Sequence, residues 1–124
     1  MNIRFITKQI HAYLDYPVAF ALMGLPVVLS LGSSNPIAFW LSIVVGVAAL
    51  VLTVLTDHQT GLFPVLPYSF HLLVDGSVGL VFLAAPVVFN LTGIDAWYYW
   101  LNAIAVLTVV SLHQPEQTVR SAIH

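Results

Sequence analysis

Ile37-Ala-Phe-Trp-Leu-Ser-Ile-Val-Val-Gly46-Val-Ala-Ala-Leu-Val-Leu-Thr-Val-Leu-Thr56 is a run without a single charged side chain. As a helix rising about 1.5 Å per residue it is about 30 Å long, the thickness of a bilayer's hydrocarbon core. Gly32-Ser33-Ser34-Asn35-Pro36 precedes it and reads as a tight turn. Before that turn lies a second apolar run, from about Leu14 to Leu31. Downstream, two more run from about Leu72 to Leu91 and from Ala96 to Leu112, separated by Thr92-Gly93-Ile94-Asp95. The chain therefore reads as four transmembrane helices. The last is short, so Trp97, Tyr98, Tyr99 and Trp100 are expected as an interfacial aromatic belt, with Trp40 doing the same for the second span.

Composition agrees. Of 124 residues, 60% are hydrophobic and 6% charged, three basic and five acidic. A soluble domain is about a quarter charged, and at this length it would need far more polar surface. A nucleic-acid binder would need a basic patch. Without any cysteine there is no disulfide scaffold, thiolate metal site, iron–sulfur cluster or thiol nucleophile. Neither a Walker loop, a dinucleotide-binding glycine fingerprint, a Gly-x-Ser-x-Gly elbow nor a His-Glu-x-x-His motif is present. Any chemistry must come from the few polar residues.

With four spans both termini share a side, and so do Arg4, Lys8 and Arg120, all the basic residues there are. The positive-inside rule makes that side cytoplasmic. The first apolar run is span-length, starts late and is followed by no clear small-x-small cleavage site, so it reads as a span rather than a signal peptide. The connection from Asp57 to Phe70 carries Gly61, Pro64 and Pro67 but also Leu62, Phe63, Val65, Leu66 and Tyr68. It is too apolar for a solvated loop and is expected to lie in the interface or fold back onto the bundle.

The chain also matches itself. His11-Ala-Tyr-Leu-Asp15 aligns with His71-Leu-Leu-Val-Asp75, and the same offset of 60 sets Pro26-Val27-Val28 on Pro86-Val87-Val88, Leu31 on Leu91 and Trp40-Leu41 on Trp100-Leu101. Beyond the tryptophans, Thr53 to Gln59 matches Thr108 to Gln114 at offset 55. Each copy holds an even number of spans, so both enter the bilayer in the same direction, related by an axis along the membrane normal. The expected fold is an all-α, polytopic membrane four-helix bundle of two pseudo-two-fold-related (parallel repeat) helical hairpins. Repeat 1 is 1–60, the apolar connector 61–70, repeat 2 is 71–114, and 115–124 a cytoplasmic tail.

The twin His-x-x-x-Asp motifs, each followed by a mid-span proline, resemble those of the SPW-repeat family of small bacterial integral membrane proteins. So does Leu55-Thr56-Asp57 ahead of a Gly- and Pro-containing connector leading to His71. The resemblance covers nearly the whole chain. The family's Ser-Pro-Trp is Leu25-Pro26-Val27 and Ala85-Pro86-Val87 here, which puts any role of that Ser and Trp in doubt but leaves the His and Asp positions untouched. The resemblance implies a duplicated four-helix fold in a bacterial inner membrane; it implies no particular activity.

Polar residues gather at one end of the expected bundle. His11 and Asp15 open the first span there, Asp57 and His58 close the second, His71 and Asp75 open the third, and His113 closes the fourth. His and Asp at i and i+4 share a helix face. A carboxylate inside a bilayer is costly, so one at equivalent positions in both copies implies an inward direction and a partner. Imidazole with carboxylate suits zinc, iron or manganese, and a carboxylate behind a ligating imidazole is a common orienting arrangement. The leading expectation is a transition metal held by His11, Asp15, His71 and Asp75, with Asp57, His58 and His113 as additional ligands or their supports. A b-type haem between paired histidines is a variant. The alternatives are a structural or accessory membrane subunit without cofactor, in which Asp15 and Asp75 are helix N-caps, and a proton or cation relay titrating through histidine. Such a relay would need a homo-oligomer, since four helices are thin for a transport path. The partners expected are the lipid bilayer, a further copy or a larger membrane complex, and no nucleic acid.

Overall fold

The computed structural model describes residues 8–56, 63 and 65–112. Four helices carry its regular structure: α1 (Lys8–Val28), α2 (Ile37–Leu55), α3 (Tyr68–Val88) and α4 (Gly93–Ser111). Three are long and apolar enough to cross a membrane: α2, α3 from Ser69 onward, and α4. In α1 the apolar part is the shorter Tyr13–Val28. That helix begins before the apolar run and ends earlier than Leu31, because the turn of helix from Lys8 contains no breaker while Ser30 stops it. Similarly, α3 starts at Tyr68, shortening the expected connector: the Pro67 carbonyl accepts the amides of Phe70 and His71 and opens the helix early.

The two short turns are closed alike. Ser30 and Asn90 adopt left-handed backbone, φ 54° and 53°. The Leu31 amide then reaches back to the Pro26 carbonyl, and that of Leu91 to Pro86, each at 2.9 Å. This is a helix-ending motif that occupies a carbonyl the helix leaves without an amide donor. Asn35 accepts the Ile37 amide on Oδ1 at 3.1 Å and so starts α2. At the far end of α2 the described connector residues fold back. The amides of Phe63, Val65 and Leu66 donate to the last carbonyls of α2, Val54 and Leu55, and Thr56 bridges to Leu66.

Helix α1 packs along α2, and α3 along α4; the hairpins touch mainly near their two ends. Glycine sets the first spacing: a Cβ on Gly46 would lie 3.0 Å from the Ala19 carbonyl oxygen and 2.7 Å from Met23. At the end bearing the short turns, a dense core of Leu22, Leu31, Phe82, Leu91, Tyr98 and Tyr99 joins the hairpins. Tyr98 and Tyr99 are therefore interior, 5% and 0% exposed, and not in an aromatic belt as expected from their neighbours. Their rings stack edge-on against each other, Tyr99 also meets Phe82, and their hydroxyls bond to Ser42 and to the Ala38 carbonyl. Trp97 and Trp40 do face outward.

The opposite half of the bundle is hollow. A cavity of about 210 Å³ lies between all four helices, walled by valine, leucine and alanine side chains from Leu14 to Leu22 in α1, Val45 to Thr53 in α2, Val74 to Val78 in α3 and Ala105 to Val110 in α4. Asp15, His71 and Asp75 lie on its wall, and Asn102 at its inner end.

Candidate metal centre

The centre is built on two helices and finished by the end of a third. Asp15 sits in the interior of α1, and His71 and Asp75 lie one turn apart in α3. The expectation that Asp15 and Asp75 cap helices is overturned. Each follows about two turns of helix, and the N-cap of α3 is Pro67. They face inward instead. His71 Nε2 lies 3.2 Å from Asp15 Oδ2 and 3.3 Å from Asp75 Oδ2; the His71 side chain is 2% exposed, those of Asp15 and Asp75 10% and 22%. One ligand atom from each of the three falls within 4.8 Å of the others. This group could hold a metal ion.

Thr56 orients the imidazole. Its own amide turns to the Thr53 carbonyl, leaving the Leu52 carbonyl to the Thr56 hydroxyl. A hydroxyl has one proton to give. With that proton on Leu52, Thr56 Oγ1 accepts from His71 Nδ1–H at 2.8 Å. The tautomer follows: Nδ1 is protonated and Nε2 is the atom presented to the carboxylates. Two states satisfy that geometry. With Nε2 protonated, an imidazolium bridges two carboxylates. With Nε2 bare, it joins the two carboxylates as a third donor atom that a cation could take.

Of the other expected ligands, Asp57, His58 and His113 lie outside the described residues, as does the side chain of His11. Sequence reasoning gave Thr56 no role, although a threonine closing a chargeless run immediately before Asp57 was its visible signal.

A second polar cluster lies at the short-turn end, built on turn residues to which the sequence assigns no joining role. Asp95 is fully buried. It accepts the Gly32 amide at 2.9 Å, the Ser34 amide at 3.0 Å and the Ser34 hydroxyl. Ser34 Oγ in turn accepts the Thr92 amide, and Asn35 Nδ2 donates to the Phe89 carbonyl at 3.2 Å. Every donor around the carboxylate is used to tie one hairpin's turn to the other's, which makes this a structural clasp. The chain matches no protein-family model, no curated protein and no solved structure.

Proposed function

We propose that this is an integral membrane protein of four spans that holds a divalent transition-metal ion on Asp15, His71 and Asp75. His11 is a further candidate ligand from its sequence position, and Asp57, His58 and His113 are outlying ones. Zinc, iron or manganese suits the donor set. The convergence of three donors carries the reading: His71 Nε2 stands 3.2 and 3.3 Å from oxygens of Asp15 and Asp75, and one ligand atom from each residue lies within 4.8 Å of the others. The Nδ1–H bond to Thr56 adds the outer partner that ligating histidines usually have.

Insertion in a bilayer is supported by an outward face that is apolar on every helix. Trp40, Val44, Val47 and Val51 form an exposed helical stripe on α2, and Trp97, Leu101 and Ile104 one on α4. Such surface is what contact with lipid requires, and membrane or protein interfaces are where it is found. Duplication of a hairpin fits the equal lengths of α1 and α3 and left-handed Ser30 and Asn90 at the offset of 60. A bacterial inner membrane with cytoplasmic termini is the location that goes with this reading.

The test is metal content of the purified protein against Asp15→Asn and His71→Ala variants. One ion per chain in the wild type, lost in both variants, is expected. Equal and sub-stoichiometric metal in all three refutes the site and leaves an imidazolium clamped between two carboxylates, a structural subunit without cofactor.

A further inference from the structure

Between its ends the cavity has aliphatic walls: Val18 of α1, Val45 of α2, Val78 of α3, and Val106 and Val109 of α4. Along α4 the wall runs from Asn102 to Val110, a rise of about 12 Å, and Asn102 is the one polar residue that α4 gives to it. An apolar cavity of about 150 Å³ holds a benzene. At about 210 Å³, this one has room for roughly eight to ten non-hydrogen atoms by the same scale. It is also partly open, which gives such a molecule a way in from surrounding lipid.

The amide of Asn102 decides the chemistry. The atom 2.7 Å from the Tyr98 carbonyl is its nitrogen, because a carbonyl only accepts. The other amide atom is therefore Oδ1, an acceptor with two lone pairs. Among the described residues nothing donates to that oxygen, and it is not sealed in by protein atoms. In an aliphatic chamber, an acceptor of this kind favours a molecule that brings a donor. Asp15, His71 and Asp75 at the acidic end interact with one another, and the site uses none of them.

We propose that the cavity is a binding site for a small apolar molecule with a single N–H or O–H, which donates to Asn102 Oδ1 while the hydrocarbon body lies against the valines. The proposal stands apart from the metal reading.

Two fused-ring probes of one shape test it: indole, with an N–H, and benzofuran, with a ring oxygen in its place. The full chain in lipid nanodiscs is titrated with each by calorimetry, and partitioning into protein-free nanodiscs is subtracted. In the wild type, indole is expected to bind saturably and about tenfold more tightly than benzofuran, the worth of one hydrogen bond. Asn102→Leu, of similar volume but without the acceptor, is expected to lower indole to the affinity of benzofuran. Val45→Phe and the milder Ala49→Leu, which fill the chamber, are expected to lose both probes. Treatment with a chelator is expected to change none of these affinities, which separates this site from the metal centre. Equal affinities of the two probes in the wild type overturn the proposal. So does a preference for indole that survives Asn102→Leu, because the donor then goes elsewhere, or one that chelation abolishes, because the metal end then holds the molecule. Absence of saturable binding, or binding indifferent to chamber filling, overturns the site altogether.

Discussion

At the scale of single residues, the position of one proton governs the centre. His71 can present Nε2 to Asp15 and Asp75 because Thr56 accepts from Nδ1, and Thr56 is free to accept because its own proton is on the Leu52 carbonyl. Thr56→Val keeps the shape of the side chain and removes the acceptor. On the metal reading it lowers metal affinity about 10- to 100-fold, the usual effect of removing a ligand's outer partner, while the folded state persists; competition with a chelator of known affinity measures it. His71→Ala removes the group between two inward carboxylates and is expected to cost about 3–5 kcal/mol, the range for breaking a buried charge pair. Detergent-titrated thermal unfolding, beside His71→Gln as the polar control, checks that size. The sequence marks His71, Asp15 and Asp75 through their spacing and placement in apolar runs. It does not mark the hydroxyl that sets the imidazole's tautomer, because Thr56 and His71 are 15 residues apart and meet only after α3 has docked.

At the scale of elements, the gap that Pro26 leaves in the hydrogen bonds of α1 is filled from α2. Pro26 has no amide proton, so the Leu22 carbonyl one turn earlier loses its helical donor. The Ser42 hydroxyl of α2 supplies one at 2.7 Å and, its proton committed, accepts from the Tyr98 hydroxyl at 2.6 Å. Ser42→Ala leaves a buried carbonyl and a buried phenol without these partners and is expected to destabilise by about 1–3 kcal/mol. Pro26→Ala restores an amide to Leu22, so the double variant recovers part of that loss; a double-mutant cycle by thermal unfolding gives the coupling. The glycine contacts separate the hairpins. An added methyl at Gly46 meets a backbone oxygen of Ala19 at 3.0 Å, whereas at Gly79 it meets the flexible end of Leu107. Gly46→Ala is thus expected to cost about 1–3 kcal/mol, as overpacking does, and more than Gly79→Ala, whose neighbour can rotate away.

At the scale of the whole molecule, the hairpins are joined by polar groups at both ends of the bundle, with a packed core beside one and a cavity beside the other. The clasp on Asp95 is one join. Asp95→Asn puts an amide donor against the donors of Gly32 and Ser34, and is expected to destabilise by about 2–3 kcal/mol in thermal unfolding. The group of Asp15, His71 and Asp75 is the other join, spanning α1 and α3, and on the metal reading an ion adds to it. An ion present at about 100 times its dissociation constant stabilises by about 2.7 kcal/mol. Chelation is therefore expected to lower the melting temperature of the wild type and leave that of Asp15→Asn/Asp75→Asn unchanged. A wild-type melting temperature indifferent to chelator is the outcome expected of the cofactor-free cluster.

The existence of the helices, their approximate lengths and the turns between them were all determined by sequence alone. A helix closes its hydrogen bonds within a few residues, so a chargeless run bounded by Gly-Ser-Ser-Asn-Pro carries that information locally. The composition determined that the outward faces are apolar, and the His-x-x-x-Asp spacing determined that His71 and Asp75 share a face. The tertiary structure decided which face of each helix turns inward and what it meets there. It took Tyr98 and Tyr99 into the core while Trp97 stayed outside, and it brought Asp95 to partners 61 and 63 residues away. It also hollowed the half of the bundle that holds Asp15. Those outcomes depend on the rotation of each helix about its axis and on how two hairpins dock, which the local pattern leaves open because packing is settled among residues far apart along the chain.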